Sequence, residues 1–404
     1  MKPKRVRIPG RCGTGVAVCL VLAGTVPSVC AQWTVENLHP AGWRSSTAVS
    51  GNGDQLGGYG AAGTYDGHGC IWNGLGGSLT DLHPAGAIES GVHGVWGGQQ
   101  VGFVYAGDLF SAALWSGTAE SWVSLNPEGA TSSLAIGVWS GQQVGSAYIG
   151  GVSRAGLWNG SAESWVDLHP AGADESTAIG AADGRQVGVV RANGFYRASL
   201  WSGAVGTRID LHPAGSSASR AVGVSCGQQV GWAQFFSSRS HAGLWNGSAA
   251  TWVDLHPAVA TEESEATGVY CGYQVGYARV NGIPHAGLWN GSADSWTDLH
   301  GFLPPEFLSS GGGCIWGNGG AMYVAGYGTN TISGRTEAVL WTFVPPRPCA
   351  ADFNRDGGID GADVESFYNA WTVFDSSADV NQDGGVDGGD VEFFFVRWES
   401  GGCE

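Results

Sequence analysis

The sequence predicts an all-β fold, a seven-bladed β-propeller of four-stranded blades, with a small α-helical module behind it. Three observations carry that expectation. A motif recurs at spacings of 43 or 44 residues along most of the chain. The composition is rich in glycine (70 of 404 residues) and tryptophan (19) and poor in Lys and Arg (18 together), which suits short Trp-anchored strands joined by tight turns. Two acidic loops stand 27 residues apart near the C-terminus, each followed by apolar residues at helical spacing.

Residues 1–31 read as a signal peptide. Lys2, Lys4, Arg5, Arg7 and Arg11 form a basic start, and residues 14–26 an apolar run too short to span a bilayer. Val29 and Ala31 supply the small residues of a cleavage site before Gln32. No later segment has about 18 apolar residues in a row, so no membrane span is expected in the mature chain, whose expected location is extracellular or at the cell surface. Five of the 18 basic residues and none of the 35 acidic ones fall in 1–31, leaving a formal charge of −22. That balance argues against nucleic acid as a partner, because phosphate binding draws on Lys and Arg. Cys70, Cys226, Cys271, Cys314, Cys349 and Cys403 remain. An even count in an exported chain permits disulfides.

The repeat motif Asp-Leu-His-Pro-Ala-Gly, or a variant of it, centres on His39, His83, Asn126, His169, His212, His256 and His300. Between copies come a short apolar run such as 135–138, then Gln-Val-Gly as at 143–145, then Leu-Trp-Asn-Gly as at 157–160. Each repeat thus holds four strands, a to d, the size of a propeller blade. Asn73-Gly74, Asn159-Gly160, Asn246-Gly247 and Asn290-Gly291 predict type I′ turns and a hairpin between strands c and d. Seven d strands begin at Trp33, Ser78, Ser121, Ser164, Thr207, Thr251 and Ser295, and an a-b-c set follows each. The first d strand stands alone and the last set lacks one. Pairing 33–38 with 339–343 would complete the seventh blade and remove the open sheet edges. Alternating strand direction puts d–a and b–c turns on one face and the other turns opposite. Cys226 and Cys271 share an a–b turn position in neighbouring blades. Whether they come within the ~7 Å Cα limit of a disulfide is open, and Cys70 and Cys314 have no assigned partner.

At these residues the chain resembles the HAF-type extracellular repeat family over 32–344. The pattern is Gly-Gln-x-Val-Gly, then His-Ala-x-Leu-Trp, then Asp-Leu. His241-Ala242-Gly243-Leu244-Trp245 and His285-Ala286-Gly287-Leu288-Trp289 carry it best, with Gly243 and Gly287 where the family has Phe. The resemblance implies a β-propeller-like fold and no particular activity.

Pro345, Pro346 and Pro348 mark a stiff linker at 345–348. From 349 to 404 there are 13 acidic and 2 basic residues. Asp352, Asn354, Asp356, Gly358, Asp360 and Asp363 occupy positions 1, 3, 5, 7, 9 and 12 of an EF-hand-type loop, and Asp379, Asn381, Asp383, Gly385, Asp387 and Asp390 repeat them. Calcium takes six to eight oxygens, and such a loop offers them at these positions, with Gly at position 6 for the sharp turn. Two bound calcium ions are therefore expected. Position 12 is Asp rather than Glu, and its bidentate reach is open. Val364, Phe367, Tyr368 and Trp371, then Val391, Phe394, Phe395 and Trp398, place an apolar stripe on a helix after each loop.

This segment resembles a dockerin of the short, cysteine-bracketed kind. The resemblance implies docking to a cohesin-like module through calcium-ordered helices, and a clasp between Cys349 and Cys403. Gly361-Ala362 and Gly388-Gly389 replace the hydroxyl residues common at loop positions 10 and 11. That departure admits a different cohesin or a surface-sorting receptor as the partner.

Within the propeller, Asp81, Asp167, Asp210, Asp254 and Asp298 recur once per repeat and read as turn-stabilising groups. The Leu-His-Pro histidines read likewise, and His93 as a solvated or turn histidine. The most site-like departures from the repeat are in the b–c hairpins of blades four to six. They are Arg191, Phe195, Tyr196 and Arg197, then Phe235, Phe236 and Arg239, then Tyr277 and Arg279. Aromatics beside Arg suit a glycan or protein ligand; packing of outer strands is the plainer reading. No nonrepeating acidic pair stands out in the propeller, and glycosidases need two carboxylates. The expected function is a noncatalytic propeller anchored by its dockerin-like module. The alternative is a glycan-active enzyme of polysaccharide catabolism.

Overall fold

A computed structural model describes residues 32–344, apart from 64–66, 236–238 and 319, and residues 349–400, apart from 355, 357 and 382. The expected leader (1–31), the linker (345–348), Phe236 and Cys403 lie outside the described residues, so the Cys349–Cys403 clasp is not described. The chain divides into two compact units after Val344.

Seven antiparallel four-stranded sheets form the first unit. Blade 1 runs outward through Ser45–Asn52, Gln55–Ala61, Gly67–Asn73 and Ser78–Asp81. Blades 2 to 6 open with the inner strands Glu89–Trp96, Ala130–Trp139, Glu175–Ala182, Ser216–Ser225 and Ala260–Tyr270. Blade 7 takes Phe307–Asn318, Ala321–Asn330 and Arg335–Val344 from the end of the repeats and Gln32–Asn37 from the start. Leu38 N donates to Ala338 O at 2.8 Å, and Asn37 Nδ2 to Glu337 Oε2 at 2.7 Å. The ring closes by the predicted pairing.

The motif residues explain the packing. Trp72, Trp115, Trp158, Trp201, Trp245, Trp289 and Trp341, one per blade, are buried to 2% exposure or less. In blades 3, 5 and 6 a second indole lies on the first: Trp158–Trp165, Trp245–Trp252 and Trp289–Trp296 centroids are 4.6–4.7 Å apart. A Cβ at Gly156, Gly243 or Gly287 would collide with that second ring. These glycines are therefore room for Trp165, Trp252 and Trp296. Blade 4 replaces the pair with Ser199 and Arg208, whose Nε donates to Ser199 Oγ at 3.0 Å.

The Leu-His-Pro loop latches each blade to the next. The N–H groups of Gly69, Ala112, Ala155, Ala198, Ala242, Ala286 and Ala338 donate to Oγ of Ser90, Ser133, Ser176, Ser219, Ser264, Ser310 and Ser46 on the following inner strand, at 2.8–3.0 Å. Each serine then meets the loop residue, as in Ser176 Oγ to His169 Nδ1 at 2.8 Å. In blade 3 the loop residue is Asn126, which accepts from Ser133 through Oδ1 at 2.6 Å and donates Nδ2 to Ala130 O at 3.2 Å. An amide does these two jobs only in that orientation. The histidines therefore act as the neutral tautomer, accepting at Nδ1 and donating at Nε2, as His39 does to Trp43 O at 3.1 Å.

Strands c and d pair as the expected antiparallel hairpin, but their connection is not the expected type I′ turn. After Trp158 the chain makes a 3₁₀ turn at Ala162–Ser164 before the outer strand Val166–Asp167. Gly160 has φ +88°, but Asn159 is not among the residues with positive φ, so the pair is not a type I′ turn. Instead Ser164 Oγ accepts Asn159 N, and Gln143 Oε1 accepts Gly160 N. That buried glutamine, from the Gln-Val-Gly motif, removes the need for a two-residue turn. Paired positive φ values occur at the a–b turns, as at Ser140-Gly141, and at some b–c turns, as at Asn193-Gly194. Cys226 and Cys271 sit at two such a–b turns and form a disulfide across blades 5 and 6, with Cα atoms 5.3 Å apart. Cys70 and Cys314 are free thiols.

The second unit contains α1 (Gly361–Thr372) and α2 (Gly388–Ser400). Phe367 and Phe394, 27 residues apart, are fully buried and stack with centroids 4.3 Å apart. Trp371 Nε1 donates to Asp387 O, and Trp398 Nε1 to Asp360 O, so each helix ties down the loop before the other.

Candidate binding sites

The loops at 352–363 and 379–390 are built on their own side chains. Asp363 and Asp390 are fully buried at the starts of the two helices. Asp363 accepts Asn354 N at 3.0 Å and Asp360 N at 2.9 Å on its two oxygens; Asp390 accepts Asn381 N at 3.2 Å and Asp387 N at 2.9 Å. Position 12 thus folds the loop from behind. Asn354 Nδ2 bonds Asp356 Oδ2, and Asn381 Nδ2 bonds Asp383 Oδ2, each at 3.0 Å. Asp356 and Asp383 Oδ1 accept the N–H of Gly358 and Gly385. In the second loop Asp379 Oδ2 accepts Gly384 N at 3.1 Å, while its Oδ1 is buried with no hydrogen-bond partner. Gly384, at position 6, has φ +94°, which explains why that position needs glycine. Among the described residues no three His, Cys, Asp or Glu groups already converge as a metal cage. The donors are oxygen-only and mostly anionic, which fits a hard cation.

On the propeller, the repeated carboxylates serve turns. Asp81, Asp167, Asp210, Asp254 and Asp298 each accept the N–H of the histidine two residues on, at 2.8–2.9 Å. Their second oxygens meet an arginine or histidine side chain from strand c: His68, Arg154, Arg197, His241 and His285. Arg197, expected in a ligand site, thus belongs to this structural series. Phe235 packs near His241 and Trp252. Arg279 Nε pairs with Glu263 at 2.7 Å, and its Nη1 donates to Gly282 O.

Arg191 and Tyr196 are brought together. They line a cleft of about 330 Å³ between blades 4 and 5, with Glu175, Thr177, Arg220 and Trp232. Tyr196 OH donates to Glu175 Oε1 at 2.7 Å, and the Arg191 guanidinium lies 5.6 Å from the Tyr196 ring centre. Arg220 and Trp232 are paired across the inner two strands. The same register holds Glu265 and Tyr277 in blade 6 and Gly311 and Tyr327 in blade 7. Burial raises the Glu265 carboxyl above its ordinary value, with Glu263 adding to the effect and Arg220 opposing it. Glu263 and Glu265 form a nonrepeating acidic pair that the sequence reading passed over. The signal was present: the residue after the buried latch serine is Thr47, Gly91, Leu134, Thr177 or Gly311 in five blades, and charged only in two.

A second cleft, of about 340 Å³ between blades 2 and 3, holds His93 with Phe103, Phe110, Leu134 and Tyr148. His93 is half-buried and lies in no turn. It occupies the bulge between Val92 and Gly94 on an inner strand, where blades 3 and 4 carry Ile136 and Ile179. Burial lowers its pKa against a backbone hydrogen bond with Ala135, and its Nδ1 is buried without a partner.

No protein-family profile matches the sequence, and no curated protein does. Solved structures match the fold. A puromycin hydrolase is similar at 12% identity and a TM-score of 0.52, over 74% of this chain and 54% of that one. A puromycin-hydrolyzing peptidase from Mycobacterium tuberculosis is similar at 12% identity and a TM-score of 0.51, over 73% of this chain and 52% of that one. The chain therefore matches about half the length of these proteins, and at such identity the likeness is one of fold alone.

Proposed function

We propose that this is a secreted calcium-binding protein whose dockerin-like module anchors a noncatalytic β-propeller, built for binding or display, to a cohesin-like or cell-surface partner. The observation that carries the reading is the duplicated acidic loop, each copy closed by a fully buried aspartate. An ion-free loop leaves its carboxylates close together and mutually repelling, with Asp363 and Asp390 also buried, at a cost that a cation offsets. Asp352, Asn354, Asp356, Asp360, Asp363 and the Gly358 carbonyl would hold one ion, and their counterparts from Asp379 to Asp390 the other. Bound calcium supplies positive charge that pins each loop to the helix after it. The module is too small to bury a large core, so metal binding and folding are coupled. The noncatalytic reading of the propeller rests on its repeated carboxylates, all engaged in turns, and on the nonrepeating Glu263 being held by Arg279 at 2.7 Å.

Hydrogen exchange on the full chain tests this reading. Chelation should deprotect the amides of α1 and α2 and leave those of the blades unchanged. Retention on immobilised cohesin modules should need calcium. Helix protection that is indifferent to chelator would refute the proposal.

A further inference from the structure

The cleft between blades 4 and 5 contains a cation that the fold does not use. Of its two arginines, Arg191 faces Glu175 at 3.7 Å. The Arg220 guanidinium has no hydrogen bond or ion pair among the described residues, although acidic residues greatly outnumber basic ones in this chain. Arg220 is an exposed residue at the mouth of the cleft, where partial loss of hydration lowers its pKa against the pull of Glu265 and Tyr196. Trp232 stands beside it in register, half-buried rather than packed away. Neither residue is needed to build a blade, since blade 3 carries Leu134 and Ser146 at the same pair of positions, and blade 4 Thr177 and Val189.

We propose that this cleft binds a uronic acid residue of a glycan, with the sugar carboxylate on Arg220 and the sugar ring against Trp232. The inference rests on the reading of the propeller as a binding domain and names its ligand class. An unpaired guanidinium offers a planar fork of N–H donors that matches a carboxylate. An indole face offers an apolar surface for the C–H face of a sugar. Glu175 and Thr177 lie on one face of the inner strand, in reach of ring hydroxyls. The cleft is at the small end of small-molecule sites, sized for a sugar ring rather than a length of peptide. The overall charge is strongly negative and opposes a polyanion at long range. The preferred glycan therefore carries isolated uronates between neutral sugars.

The test is calorimetric titration of the full chain with a xylo-oligosaccharide bearing one glucuronate, with its unsubstituted counterpart, and with an oligoglutamate peptide. The substituted oligomer should bind at least about tenfold more tightly than the neutral one. Arg220→Gln should lower its affinity about ten- to hundredfold and so remove its preference over the neutral oligomer. Arg220→Lys keeps the charge but loses the fork, and should fall between the two. Equal affinity for substituted and neutral oligomers would overturn the proposal, as would an Arg220→Gln protein that keeps its thermal midpoint and its affinity. Tighter binding of the peptide would reassign the cleft to an acidic peptide. Calcium uptake is read on the same preparation; its absence would count against the tether and not against this site.

Discussion

The latch between blades rests on single residues, and its chemistry sets a pH dependence. His39, His169, His212, His256 and His300 all have lowered pKa values, because burial strips water from the charged form. The unfolded chain then binds more protons between each folded pKa and the ordinary value near 6.5. The stability from these groups is complete above about pH 6.5 and is lost as pH falls through the folded values. The propeller's melting temperature should fall on acidification through that window. His169→Asn should flatten the fall and keep the latch, as Asn126 does. A melting temperature that holds constant through the window would contradict the tautomer assignment. Ser176→Ala leaves the buried Ala155 N–H unsatisfied and should cost about 1–3 kcal/mol in urea unfolding. At this scale the sequence was legible only in part. Recurrence identified the histidines as structural, but their partner serines lie seven to ten residues away and carry no signature of their own.

Within a blade, the informative pairs join strand c to the d strand beyond it. Gly243 and Trp252 occupy one volume, as Ser199 and Arg208 do in blade 4. Gly243→Ala should destabilise by about 1–3 kcal/mol through overpacking. Combined with Trp252→Arg, a serine at 243 should cost less than the sum of the single changes, by about 0.5–3 kcal/mol. Additive costs in that double-mutant cycle would contradict the shared-volume account. The failure of the Asn-Gly reading belongs here too. A two-residue hairpin and a capped 3₁₀ turn both want glycine at the second position. The feature that decides between them, the buried Gln143 reaching Gly160 N, is distant in sequence.

At the scale of the whole molecule, blade count and closure were legible because a lone d strand at one end and a missing one at the other have one economical solution. The axial residues were not. Attention to the hairpin tips found Arg191 and Tyr196 but missed Arg220 and Glu265, which depart from the repeat in the middle of inner strands. The Cys226–Cys271 bridge was left open because adjacent blades bring equivalent turns only near the distance limit, and register decides the outcome. Replacing both cysteines by serine should lower stability by about 2–4 kcal/mol, since the bridge closes a loop of 45 residues. An unchanged urea midpoint would show that the blades hold that geometry without it.

We propose that the C-terminal loops bind calcium and fold with it. Calorimetric titration of the oxidised full chain with calcium tests it most directly. Two ions per chain should bind, with dissociation constants of about 10⁻⁴ to 10⁻³ M or tighter, and both should be lost when Asp352 and Asp379 are replaced by Ala. No calcium uptake at millimolar concentration, or uptake that survives those replacements, would contradict it.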